Sequence, residues 1–190
     1  MFKHLKAVSG DPLLALIMAH KQDTNPKKID LGVGVYKDDN GHTPILNTVK
    51  KAEAILLEQE DSKSYLGIYG ATEFEAIIKD LILGEGNPLI HSGRIRSTQT
   101  PGGTGALKVA ADFISANLKG ARLWVSDPTW GNHKSIFDSA GVEVKDYPYY
   151  DPATNGLRFD DMMATLEAEV QEGDVLLLHA CCHNPTGIDL

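Results

Sequence analysis

The chain holds 190 residues, 42% hydrophobic and 23% charged, which excludes a wholly disordered or fibrous polypeptide and leaves enough length to bury a core. It carries 18 Lys and Arg against 26 Asp and Glu, a net charge of −8, which argues against a surface built to hold nucleic-acid phosphates. No stretch reaches the roughly 18 uninterrupted apolar residues of a membrane span. Ser9, Gly10, Asp11 and Pro12 occupy the place where a secretory signal would keep its apolar stretch. The only cysteines, Cys181 and Cys182, are neighbours that rarely bridge, so reduced thiols and a cytoplasmic setting are expected.

Asp11 and Pro12 predict a helix start, with a capping carboxylate and proline at the first helical position. Leu13, Leu14, Leu16, Ile17 and Met18 form its apolar face, and Asp23 to Pro26 close it. A short apolar run from Ile29 to Tyr36, broken by Gly32 and Gly34, leads to the turn signal Asp38-Asp39-Asn40-Gly41. A second helix is predicted from Pro44, with Ile45, Val49, Ala52 and Leu56 on one face. Thr72 and Glu75 read as a capping box for a third, carrying Phe74, Ile77, Ile78, Leu81 and Ile82 and ended by Gly84, Gly86 and Pro88.

Beyond Arg94 strands and helices alternate. Ile95 to Thr100 is predicted extended, and Gly102 to Gly105 opens a helix with Leu107, Ala110, Ala111, Ile114 and Leu118 on one face. Leu123 to Val125 is a buried strand, followed by a helix near Asn132 to Ser139 and a strand from Val142 to Tyr147. A helix bearing Met162, Met163, Leu166 and Val170 precedes a continuous apolar strand, Val175 to His179. This rhythm predicts an α/β fold, a mainly parallel sheet covered on both faces, with ligands at the carboxyl ends of its strands.

Three junctions carry candidate chemistry. Thr100-Pro101-Gly102-Gly103-Thr104-Gly105 is either a tight turn or an anion cradle, in which glycine N–H groups and a helix start hold a phosphate. Trp130, in Ser126-Asp127-Pro128-Thr129-Trp130, either stacks on a planar ring or covers the core. His133 orients a buried acid or caps a helix. In His179-Ala180-Cys181-Cys182-His183, an extended chain puts His179, Cys181 and His183 on one face. Zinc there would need a fourth ligand from elsewhere, and no metal is expected. Asn184-Pro185 then offers an amide at a strand end and a candidate cis bond. Together the three junctions describe a site for a flat, phosphorylated, hydroxyl-bearing ring.

In order, Leu31-Gly-Val-Gly-Val-Tyr36, Tyr65-Leu-Gly-Ile68, Thr100-Pro-Gly-Gly-Thr-Gly-Ala-Leu107, Val125-Ser-Asp-Pro-Thr-Trp130 and Cys182-His-Asn-Pro-Thr-Gly187 resemble the aspartate/aromatic aminotransferases. These are pyridoxal-phosphate enzymes of fold type I. The resemblance spans essentially the whole chain. It implies an α/β/α large domain over residues 44–190, the beginning of a small domain over 11–43 and an amino-terminal arm over 1–10. It also implies that Gly102, Gly103 and Thr104 hold the phosphate of pyridoxal 5′-phosphate, although many relatives have serine where Gly102 stands. Trp130 would stack on the pyridine ring, Asn184 would bond its phenolic oxygen, and His133 would orient the acid on the ring nitrogen. Gly34 would meet the substrate carboxylate. Tyr65 would reach the neighbouring subunit's phosphate, making the enzyme a homodimer with shared sites.

The implied reaction moves the amino group of L-aspartate to 2-oxoglutarate in two half-reactions, giving oxaloacetate and glutamate. Val35, Lys37, Thr43 and Thr104 resemble the aspartate-preferring branch. Ser64 departs from it, and Tyr147 to Tyr150 with Thr154 to Gly156 resembles the aromatic branch. In the family the Schiff-base lysine, the pyridinium aspartate and the phosphate and substrate arginines all follow the Asn-Pro-Thr-Gly motif. No catalytic residue is therefore assigned within the chain, and by itself it is expected to be an incomplete, inactive portion of such an enzyme. A non-catalytic cofactor-binding module is the alternative.

Overall fold

A computed structural model describes residues 12–30, 32 and 34–190. The arm, the Asp11 cap, the Leu13 and Leu14 side chains, Leu31 and Val33 lie outside the described residues. The chain divides into two compact units, Met1–Ser64 and Tyr65–Leu190.

In the first unit, α1 (Pro12–Gln22) begins at its proline as expected. The Lys28 ammonium donates to the carbonyls of His20 (2.6 Å) and Asp23 (2.8 Å), serving groups that a helix end leaves without partners. The predicted turn forms around Asp38, whose carbonyl accepts from Gly41 N–H and whose carboxylate accepts from Asn40 and His42 N–H. The second helix, α2 (Asn47–Gln59), starts three residues after Pro44. Pro44 drives Thr43 extended without compelling a helix after itself, and Leu46 is still extended at ψ 139°. Ile45 therefore lies outside the helix, and no residue of α2 is buried.

The second unit opens with α3 (Thr72–Leu83), ended by Gly84 at φ +88°. The capping box is not formed. Thr72 is the first helical residue, Ala71 is the cap, and Glu75 pairs with Lys79 one turn on. The role of the box's reaching side chain falls to Gln99, whose Oε1 accepts from Ala71 N–H at 2.9 Å. Gly70 makes room for it: a Cβ there would sit 2.3 Å from the Gln99 Cβ, at φ +93°. No residue of α3 is buried, so its predicted apolar stripe is not core within the described chain. A short helix, α4 (Pro88–His91), capped by the Asn87 side chain, was not anticipated. Residues 95–100 form no strand; Gln99 N–H makes a backbone bond to Tyr69 O at 2.8 Å.

From α5 (Gly102–Asn117) the alternation holds: β1 (Arg122–Asp127), α6 (Gly131–Ser139), β2 (Glu143–Pro148), the antiparallel pair β3 (Tyr150–Asp151) and β4 (Gly156–Leu157), α7 (Phe159–Glu169) and β5 (Val175–Leu176). The sheet order is β2-β1-β5, all parallel. Side-chain alternation along β1 builds a core on each face. Leu123 and Val125 pack with Ala111 and Ile114 of α5 and Ile136 and Phe137 of α6. Trp124 packs oppositely with Tyr147, Tyr149 and Met162 of α7. Each fully buried apolar side chain contributes about 1.5–3 kcal/mol. β5 is shorter than the predicted Val175 to His179. Leu177 N–H still donates to Trp124 O at 2.9 Å, after which the chain leaves the ladder.

The amino ends of β1 and β5 are fastened by Asp174. Its carboxylate accepts from Arg122 N–H, Nε and Nη2, from Trp124 Nε1 and from Gln171 N–H. The Arg122 guanidinium first, and then the N–H donors, hold this carboxyl well below the ordinary carboxylate range despite opposing desolvation. The folded pKa is depressed, so the stabilisation is present above the unfolded value near 4 and is lost as pH falls through the folded one. Asp174→Asn should cost on the order of 2 kcal/mol at pH 7. Urea unfolding of both chains across pH should show that difference shrinking in acid; a pH-independent difference refutes the assignment.

Candidate functional site

β1 and β5 run in the same direction, so the loops that follow them lie at one edge of the sheet. Ser126 to Trp130 leads from β1 into α6, and Leu177 to Asn184 continues from β5. Between them is a cavity of about 310 Å³ lined by Trp130, His133, His179, Cys181 and Asn184, with Leu107 of α5, Leu177 and Leu178. That volume lies at the lower end of the range for small-molecule sites.

A run of rings begins in its wall, at Trp130, His133 and His179, and continues beneath the surface. Trp130 is half-buried and meets His133 edge-on at 5.3 Å, and His133 meets His179 edge-on at 5.2 Å. His179 stacks on His183 at 4.3 Å, and His183 stacks on Tyr149 at 4.0 Å. His133 and His183 are buried. His133 Nδ1 pairs with Thr129 Oγ1 at 2.8 Å. Both nitrogens of His183 have hydroxyl partners at 2.8 Å, Ser126 Oγ at Nε2 and Thr186 Oγ1 at Nδ1. Tyr147, whose hydroxyl donates to Leu177 O, is pushed up to about 12, chiefly by burial.

His179 is fixed more tightly still. Asn184 N–H donates to its Nδ1 at 3.0 Å, which makes Nδ1 the acceptor and places the proton of the neutral ring on Nε2. That Nε2 is buried and has no hydrogen-bond partner among the described residues. Burial pushes all three imidazoles below the ordinary histidine value. Mutual repulsion adds to this at His133 and His183, while the Asp189 carboxylate opposes it at His179 and His183. At neutral pH the rings are uncharged.

The structure brings together three of the residues singled out by sequence: Trp130, His133 and Asn184 share the cavity. Gly102, Gly103 and Thr104 form the exposed first turn of α5, with Gly102 at φ +68°, and are not in the lining; α5 reaches the cavity at Leu107. Tyr65 is fully exposed at the beginning of the second unit, and Gly34 is exposed in the first. Asn184-Pro185 is cis, as is Asp127-Pro128, which sequence had not marked. The 179–183 segment is not extended: Cys182 has φ +53°, so the expected one-face arrangement gives way to a turn. Sequence treated His179 and Cys181 only as candidate metal ligands and missed them as cavity walls. Their signal was position, two residues apart just past a buried strand. Among the described residues no group of three or more His, Cys, Asp or Glu side chains is placed to hold a metal.

NMR titration should place the His133, His179 and His183 midpoints below about 6.5, with the His179 proton on Nε2 at pH 7. Depressed histidine values mean that the unfolded chain takes up protons first, so these rings make stability fall as pH drops below about 6.5. A His179 proton on Nδ1, or midpoints at or above the ordinary value, contradicts this geometry.

The family model for class I and II aminotransferases matches residues 26–190. The chain is 53% identical over 189 residues to an aspartate aminotransferase of Escherichia coli (strain K12), covering all of this chain and 48% of that protein. It is 52% identical over 189 residues to an aromatic-amino-acid aminotransferase of Pseudomonas aeruginosa, covering all of this chain and 47% of that protein. Among solved structures, an aromatic-amino-acid aminotransferase from Burkholderia pseudomallei, covalently bound to pyridoxal phosphate, matches with a TM-score of 0.94 and 45% identity, over all of this chain and 47% of that one. The chain thus spans about half the length of the curated relatives it matches. Among the described residues no helix is long and apolar enough to cross a membrane. The α/β fold, the ordered motifs and the family match agree: the chain belongs to the class I and II aminotransferases.

Proposed function

We propose that this chain supplies the cofactor-cradling part of an aminotransferase that carries pyridoxal 5′-phosphate and moves the amino group of L-aspartate to 2-oxoglutarate. The observation that carries the reading is the convergence of Trp130, His133, His179 and Asn184 on one cavity at the carboxyl edge of the parallel sheet. The residues present fit the group: Trp130 and Asn184 line the same space, and the buried Nε2 of His179 has no hydrogen-bond partner among the described residues. When bound, the cofactor supplies an electron sink for the carbanion left when a substrate Cα–H proton departs.

This chain's own residues bind and orient. Trp130 offers a flat face for the pyridine ring, worth about 0.5–1.5 kcal/mol beyond burial. The Asn184 amide donates to a phenolic oxygen and favours its ionised form. His133, neutral and anchored at Nδ1 by Thr129, orients the acid on the ring nitrogen through its other nitrogen. Gly102, Gly103 and Thr104 hold the phosphate with N–H groups at the start of α5, where the helix dipole favours an anion. Gly34 meets the substrate carboxylate, and Tyr65 serves the phosphate of a second copy in a homodimer.

Residues 44–190 serve as the cofactor-binding domain of this cytoplasmic enzyme of amino-acid metabolism. The Schiff-base lysine is not assigned to any residue of the chain. Preference for aromatic amino acids is the second reading, supported by the near-equal identities of 53% and 52% to an aspartate and an aromatic enzyme.

Calorimetric titration of the 190-residue chain with pyridoxal phosphate tests the cradle. Trp130→Ala should weaken binding about tenfold, in line with the loss of one ring stack, and Asn184→Ala should weaken it as well. Unchanged affinity in both variants removes the reading. Joined in frame to the carboxyl-terminal half of the Escherichia coli relative, the chain should support transamination from aspartate faster than from phenylalanine; the reverse order favours the aromatic reading.

A further inference from the structure

Among the described residues Asn184 makes one hydrogen bond, from its backbone N–H to His179 Nδ1 at 3.0 Å, and its exposed side-chain amide makes none. The space that the amide reaches is therefore set through the backbone. Pro185, which follows, has no N–H with which to anchor the chain on that side. On the other side His183 is fixed: its N–H donates to Asp189 at 2.8 Å, and its buried ring has a hydroxyl at each nitrogen. The remaining tie on the peptide between 183 and 184 is the one to His179. That imidazole is a firm acceptor. It stacks on His183 at 4.3 Å and meets the buried His133 edge-on at 5.2 Å, and His183 and His133 are themselves anchored by hydroxyls. Its Nδ1 accepts because it carries no proton, and the burial that keeps the ring neutral preserves the bond. His179 and Asn184 also line the same cavity, so the tie lies beside the space that the amide serves. An outer group that orients an inner one in this way is a common device of binding sites.

We infer that His179 is a positioning residue: by holding the Asn184 N–H, its Nδ1 sets the Asn184 amide where it donates to the phenolic oxygen of the bound ring. The inference rests on the cofactor reading above and adds to it the group that acts through Asn184. The Nε2–H of His179 takes no part in this role, which separates the two nitrogens experimentally.

Pyridoxine 5′-phosphate is the probe, because it has the ring, the phenolic oxygen and the phosphate but no aldehyde to react with lysines. Its 3-deoxy analogue lacks the phenolic oxygen. Calorimetric titration of the 190-residue chain should show the probe bound roughly tenfold tighter than the analogue, the worth of one hydrogen bond to a charged oxygen. In His179→Gln the side-chain amide reaches the place of Nε2 and the Nδ1 acceptor is gone, so the preference should disappear. In His179→Asn the side-chain oxygen stands where Nδ1 stood, and the preference should be kept. Both substitutions remove the ring, so a loss that came from packing alone would strike them alike. A preference kept in His179→Gln, or lost in both variants, overturns the inference and leaves the cofactor reading standing. No preference in the parent chain removes the contact of Asn184 with the phenolic oxygen, and the inference falls together with that part of the reading. If a variant does not fold, the parent chain decides: with the probe bound, NMR should show a scalar coupling across the N–H···N bond from Asn184 to His179 Nδ1, and its absence overturns the inference.

Discussion

Five N–H donors from three residues converge on the carboxylate of Asp174, and the placement of the sheet follows from that convergence. Arg122 and Trp124 belong to β1, while Asp174 immediately precedes β5. A buried carboxylate without such partners would face a desolvation cost of several kcal/mol. Here the guanidinium and the N–H groups offset it, and the Arg122 guanidinium also lies 5.3 Å from the Trp124 ring. The register of β5 on β1 is thereby set at the first residue pair, Leu123 with Val175. Everything after β5, including the whole segment from His179 to Asn184, takes its position from that anchor.

At the opposite edge of the sheet the histidines carry no charge, although the Asp189 carboxylate pins their segment by accepting from Cys182 and His183 N–H. The imidazoles are neutral, stacked or edge-packed, and each is tied by hydrogen bonds: one hydroxyl at His133, a backbone N–H at His179, two hydroxyls at His183. This is the expected outcome where polar side chains must be buried beside a cavity, since a satisfied neutral ring is far less costly there than a charged one. The two edges therefore divide the labour: an ionic clasp fixes the strands at one end, and a hydrogen-bonded aromatic wall faces the open space at the other.

Much of the second unit was legible in the sequence because hydrophobic period and burial coincide there. Leu123, Trp124 and Val125 alternate between two cores as their spacing predicts, and Ala111 and Ile114 face inward from α5. The misreadings arise where a local signal permits an arrangement without compelling it. Pro44 permits a helix start but does not require one, and α2 waits until Asn47. Thr72 and Glu75 have the spacing of a capping box, yet Lys79 claims the carboxylate. Of the candidate site, Trp130, His133 and Asn184 were readable from their junctions. The contribution of His179 was not, because its tautomer depends on a turn that only the folded chain displays.

The cap on α3 comes from Gln99, 28 residues further along the chain. A box closed within the helix could form as soon as that segment was made; this one requires the intervening loop to close first, with an entropic cost that grows slowly with length. Gln99 directly precedes Thr100, Pro101 and the glycine turn that opens α5. The ordering of α3's first turn and the approach to the proposed phosphate cradle are consequently one cooperative event rather than two, and fraying at either place is felt at the other.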